Sequence, residues 1–148
     1  MRRSVIILLL LFFASMPVAG QPTSQLAGQT SINMSETGDI AHQLELYQQT
    51  TKYLDEIFQQ FSEGYLFADP ALKKVSVLKH EYEKQSQPVP PETQRLHELM
   101  KQLLSQVENY FIYHKKILRE NPELNLKIAK TTYELSMEAD KLQSMYLL

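Results

Sequence analysis

Three proline corners constrain this chain more than any other feature. Asp69-Pro70, Pro88-Val89-Pro90-Pro91 and Asn121-Pro122 interrupt a pattern of apolar residues spaced by three and four. Proline removes a backbone donor and clashes with the preceding turn, so a helix must stop or begin at each corner. The 3–4 spacing between corners is the period of a helix packed lengthwise against others. The corners and the spacing together predict an all-α fold of four helices and no strand.

The first seam runs Ile40, Leu44, Tyr47, Thr51, Leu54, Phe58, Phe61 and Tyr65, with Ile57 widening the stripe. Asp39 or Ser35 is placed to cap its start, and Gly64 to end it. The second helix, Pro70 to Gln85, carries Leu72, Val75, Leu78 and Tyr82, with Asp69 as N-cap and Pro70 at the first helical position. The third begins at Pro91-Glu92 and reaches Glu120. Its seam is Leu96, Met100, Leu103, Val107, Tyr110, His114 and Ile117, with Leu104, Phe111 and Leu118 as a second row. This wide apolar face predicts the most central helix. Asn121 caps the fourth, whose stripe is Leu124, Ile128, Leu135, Ala139, Leu142 and Tyr146, with weaker packing at Thr131 and Thr132. Short linkers favour an up-and-down four-helix bundle. The alternative is a three-helix bundle in which Asp69-Pro70 only kinks one rod.

The segment before the first seam has a different character. Arg2 and Arg3 precede an unbroken apolar run from Val5 to Phe13, followed by Met16-Pro17-Val18-Ala19-Gly20. This is the layout of a secretory signal peptide over 1–20, cleaved after Gly20, where Val18 and Gly20 are small enough for the peptidase pockets. The run is too short for a permanent spanning anchor, which needs about 20 residues, and no later run could span a membrane. Residues 21–35 read as a flexible polar lead, and 36–148 as a single bundle domain. The expected location is secreted or periplasmic.

Composition excludes several chemistries. Without Arg2 and Arg3 the chain has 13 basic and 17 acidic side chains, a net charge of −4, and no basic patch, so nucleic acid is not expected as a partner. The absence of cysteine removes disulfides, thiol catalysis, thiolate metal sites and covalent haem attachment. The four histidines, His42, His80, His97 and His114, form no Glu-x-x-His pair. Asp39-x-x-His42 and Gln94-x-x-His97 are the nearest approaches. His42, His80 and His97 read as partly exposed, and His114 as a hydrogen-bonded core residue. Met100 and His114 share one helix and cannot sandwich a haem iron; Met137 and Met145 on the fourth helix are the remaining candidate ligands. The acidic residues, among them Glu45, Asp55, Glu56, Glu63, Glu92, Glu98, Glu120 and Glu134, fall on polar faces as a solvated surface. No nucleophile or phosphate-loop motif occurs. Neither an enzyme nor a cofactor is expected.

Tyrosine is the one surplus, with eight in a chain without tryptophan. Tyr53, Tyr113 and Tyr133 fall off the seams and are candidates for a partner-binding surface. Lys115-Lys116 beside Tyr113 suits an anionic surface. The third helix's apolar face suggests a groove that contacts a partner.

Pro88-Val89-Pro90-Pro91-Glu92, followed by Leu96-His97 and Leu99, resembles uncharacterised bacterial secreted proteins and lipoproteins, in which a Pro-rich corner precedes a Leu-His pair opening a long helix. The lipid-attachment cysteine of the lipoprotein versions is missing here. The resemblance implies a helical extracytoplasmic domain without known activity, with Pro88, Pro90 and Pro91 forming the corner and His97 a structural cap or hinge. The functional expectation is an exported, non-enzymatic binding or structural module that contacts a protein or peptide partner, or a second copy of itself. The alternatives are a metal or haem carrier and a periplasmic holdase-type chaperone.

Overall fold

The structure, a computed structural model, describes residues 34–147. The leader, the cleavage site after Gly20 and nearly all of the polar lead lie outside the described residues. Four helices follow in order: α1 (Met34–Ser62), α2 (Ala68–Gln85), α3 (Gln94–Ile117) and α4 (Pro122–Tyr146). A single 3₁₀ turn, Pro91–Thr93, leads into α3. The described residues contain no strand. α1 begins inside the segment read as polar lead, so Asp39 stands in its second turn instead of capping it.

Asp69-Pro70 belongs to a reversal. α1 ends in a tight turn where Gly64 takes φ +81°. The Tyr65 N–H donates to the Gln60 carbonyl at 2.9 Å and the Gly64 N–H to Phe61 at 3.2 Å, which satisfies two terminal carbonyls. The chain then returns. Gln43 near the start of α1 donates to the Ser86 carbonyl just past α2 at 2.7 Å, and His42 lies 3.1 Å from the Gln85 carbonyl. α1 and α2 are therefore antiparallel, and the kinked-rod alternative is set aside. α2 packs on α3, α3 on α4, and α4 returns to α1. The result is an up-and-down four-helix ring.

The core is the predicted set with a few exchanges. Ile40, Leu44, Leu54 and Phe58 of α1 are buried, and so is the whole α3 seam from Leu96 to His114. Leu46 and Thr50, outside the predicted stripe, are buried as well. Rings join diagonally opposite helices: Phe58 lies 5.2 Å from Tyr110 and 5.3 Å from Phe111, and Phe61 lies 5.1 Å from Phe111. His114 sits in this group, 4.6 Å from Tyr110 and 5.3 Å from Phe61, as the core histidine expected.

Several expectations are corrected at helix ends. α2 starts at Ala68, with Phe67 as N-cap and no side-chain cap bond. Asp69 does not cap; its carboxylate meets Lys115 of α3 at 2.9 Å. That contact holds the Asp69 carboxyl below the usual carboxylate range, through the hydrogen bond first and the charge second. α3 stops at Ile117, short of Glu120, because Leu118 turns left-handed at φ 56°. Ile117 and Leu118, read as seam and second row, are exposed. Tyr65 and Tyr146, the last positions of their stripes, also lie at the surface. Each of the four stands at the last residue of its own helix or just beyond it. The fourth cap is as read: the Asn121 side chain accepts from the Glu123 and Leu124 amides at 3.1 and 3.3 Å.

A Cβ at Gly64 would meet nothing within 4 Å, so Gly64→Ala isolates the cost of a left-handed backbone. It should destabilise by about 1 kcal/mol in denaturant titration. Leu118→Gly should do the opposite, gaining up to about 1 kcal/mol, because it relieves the same strain.

Candidate functional site

A groove of about 640 Å³ lies between α1 and α2. Leu46, Thr50 and Ile57 of α1 and Leu78 and Tyr82 of α2 line its floor. Tyr53 and Val77 stand over that floor, both more than half exposed. Gln49, Gln60 and Gln85 with Glu56, Lys73, Lys74 and Glu81 form a mixed polar rim. The groove runs from Leu46 to Gln60 along α1, about 21 Å at 1.5 Å per residue. Its rim side chains are polar and long, while its floor is apolar.

The predicted tyrosines do not form one surface. Tyr53 lines the groove. Tyr133 stands exposed on α4 beside Glu134, which pairs with Arg95 of α3 at 3.1 Å. Tyr113 lies 18 residues beyond Arg95 on α3, about 27 Å along the axis, and is half-buried. The apolar face of α3 is spent inside the bundle and offers no groove. What the sequence missed is Val77, which interrupts a polar face of α2 and becomes the exposed apolar centre of the groove. Val77 lies off the stripe of Leu72, Val75, Leu78 and Tyr82, and only the tertiary structure places it in one groove with Tyr53.

The Pro-rich corner is structural in this geometry. His97 is buried, not partly exposed: its ring stacks on Tyr82 at 5.6 Å and its Nδ1 lies 3.3 Å from the Tyr82 hydroxyl. Burial, with Lys101, lowers the imidazole from its ordinary value, while Glu83 and Glu98 pull the other way. Burial likewise raises the Tyr82 phenol. Pro90 is extended, its carbonyl accepts from Thr93 Oγ1 at 3.1 Å, and Ser86 and Thr93 are buried. Pro88 and Pro91 remain at the surface. His97 thus ties the corner to α2, and its ring is committed to packing.

Metal and haem readings find no constellation. Among the described residues, no three His, Asp or Glu side chains come together as a metal-holding group. Met137 and Met145 are exposed, whereas Met100 is core. Asp55 is the one buried acid and corrects its reading as a solvated residue: it is 4% exposed, and neither carboxylate oxygen has a hydrogen-bond partner among the described residues. Burial, aided by Glu56, pushes its carboxyl up to about 7. It lies at the α1–α4 side of the ring. α4 turns Glu134 toward α3, so Thr132, Ser136 and Asp140 on its other edge turn toward α1. Burial, then Asp140 and Asp55, correspondingly push Tyr47 up to about 12. This seam is polar and carries less packing than the other three sides.

The pH dependence follows from these two groups. The unfolded chain loses the Asp55 proton near the ordinary value of 3.8, while the folded chain holds it to about 7. Stability contributed by that proton is complete below pH 4 and is lost as pH rises through 7. His97 acts in the opposite sense: the unfolded imidazole takes a proton below its ordinary 6.5 before the folded one does, so stability falls in acid. Asp55→Asn should therefore raise stability at pH 8 by on the order of 2 kcal/mol, after allowance for solvent screening, and change it little at pH 4. Thermal melts of both proteins across that range check it. Gln43→Ala should cost roughly 1–3 kcal/mol at every pH, since the Ser86 carbonyl is left buried without its donor. Compared with known proteins, the chain matches no family model, no curated protein and no solved structure.

Proposed function

We propose that this chain is an exported, non-enzymatic helical binding module whose α1–α2 groove takes an apolar segment of a protein or peptide partner. The observation that carries the reading is Tyr53 and Val77 standing exposed over a floor of buried Leu46, Ile57 and Tyr82. Exposed apolar side chains above a buried floor cost solvation that a partner's side chains would recover. The groove's length suits three to four turns of an amphipathic helix, a recognised docking mode. The Gln, Lys and Glu rim would supply polar contacts at the edges, as in other interfaces.

Export is supported by the basic head, apolar run and small-residue break of residues 1–20. The resemblance of the Pro-rich corner and Leu96-His97 to secreted bacterial helical domains points the same way. The absence of any catalytic motif supports binding over chemistry.

The test is selection of peptides from a random library on the immobilised chain. Selected peptides should carry apolar residues at helical spacing. Val77→Glu and Tyr53→Ala should each weaken them by about tenfold or more, equivalent to roughly 1.4 kcal/mol. Tyr133→Ala, on the far side of the bundle, should leave affinity unchanged. Failure to enrich any peptide, or equal loss in all three variants, would remove the groove from the reading.

A further inference from the structure

The two connections at one end of the bundle expose more apolar surface than the groove does. The α1–α2 loop presents Tyr65 at 81% and Phe67 at 77% exposure, and the α3–α4 loop presents Leu118 at 81% with Ile117 beside it. Leu126, about one turn into α4, is exposed at the same end. The Lys115–Asp69 ion pair, 2.9 Å long, joins the two loops at their bases, two residues from Ile117 and from Phe67 respectively. Two apolar tips therefore stand side by side at this end. We infer that this end seats on a lipid–water interface, with Tyr65, Phe67, Ile117 and Leu118 entering the headgroup region.

Three observations select lipid over a folded partner. First, Leu118 is the one non-glycine described residue with positive φ. That backbone costs free energy for a leucine, and its result is to aim an apolar side chain into solvent. Second, cations bracket the tip. Lys115 and Lys116 precede Ile117-Leu118, and Arg119 follows. Lys116 and Arg119 form no ion pair among the described residues, and such side chains can lay their stems along an apolar tip while their charges reach headgroups. Two acids at this end are ion-paired, Asp69 with Lys115 and Glu123 with Lys127 at 3.2 Å, while Glu120 forms no ion pair among the described residues. Glu63 is exposed too, so the end is close to neutral overall, and Lys116 and Arg119 are the cations that flank Ile117-Leu118. Third, the tips mix aromatic with aliphatic side chains, Tyr65 and Phe67 with Ile117 and Leu118, a mixture that a fluid interface accommodates without a preformed pocket. None of this requires the groove.

The chain has no tryptophan, so single replacements report local insertion. Phe67→Trp and Leu118→Trp should each show a blue-shifted emission when phosphatidylcholine vesicles are added. The shift should grow when about one-third of the lipid is phosphatidylglycerol, because Lys116 and Arg119 then meet anionic headgroups. Tyr133→Trp, far along α4, should not respond. Leu118→Asp and Phe67→Asp should each lower vesicle co-sedimentation by roughly tenfold, with helical content and melting midpoint retained. Val77→Glu should leave vesicle binding intact, which separates this end from the groove. Absence of co-sedimentation with both vesicle types overturns the inference. So does an equal shift at Tyr133→Trp, or a shift that rises with protein concentration alone, which would make the tip a contact between copies.

Discussion

The ring of helices depends on one aromatic joint. α2 and α3, and α3 and α4, pack more extensively than α1 packs on either of its neighbours. Phe58 and Phe61 reach across the bundle into Tyr110, Phe111 and His114, with ring centroids 4.6–6.2 Å apart within the group. Edge-on ring contacts of this kind contribute beyond their buried area. They fix the rotation of α1 about its axis. That rotation sends Asp55 toward α4 and Tyr53 toward α2, and so decides both the buried acid and the groove.

Away from the joint, α1 is held by unlike means on its two sides. Toward α2, Gln43 reaches the Ser86 carbonyl and the corner closes over buried Ser86 and Thr93. Toward α4, the seam is made of Thr51, Asp55, Thr132 and Ser136, and the carboxyl of Asp55 is buried without a partner. A buried polar group without a hydrogen bond is expensive, so this is the side of the ring most exposed to a change of pH. The groove and the apolar loop end lie elsewhere, one between α1 and α2 and the other at the tips of two loops. The bundle thus carries two separate exposed apolar features, one a polar-rimmed groove, the other a pair of loop tips flanked by Lys116 and Arg119.

Much of this was legible in the residues. The 3–4 spacing gave the seams, and three proline corners gave the connections; Asn121 and Gly64 ended or began helices for local reasons that need no tertiary partner. The misreadings cluster where a local signal met a long-range competitor. Asp69 has the residue type and the following proline of an N-cap, yet Lys115, 46 residues away, takes its carboxylate. His97 looked exposed because polar residues flank it, yet Tyr82 covers its ring. Asp55 lay one step off the seam, close enough for a wide stripe to bury it.

The sequence by itself determined the helices, their limits to within a turn and most of the buried side chains, because propensity, proline and apolar period act over a few neighbouring residues. Tertiary structure alone decided which outlying residues face a partner and which face water. Leu118 and Ile117 continue an apolar pattern yet lie outside, since α3 ends at Ile117 and Leu118 turns left-handed beyond it. Val77 and Tyr53 come together across a hairpin whose helices run antiparallel, and Tyr113 and Tyr133 are kept apart by the length of α3. Spacing along one helix carries no information about the ends of its neighbours. The contact surfaces depend on those ends, so they appear only when the helices are placed against each other.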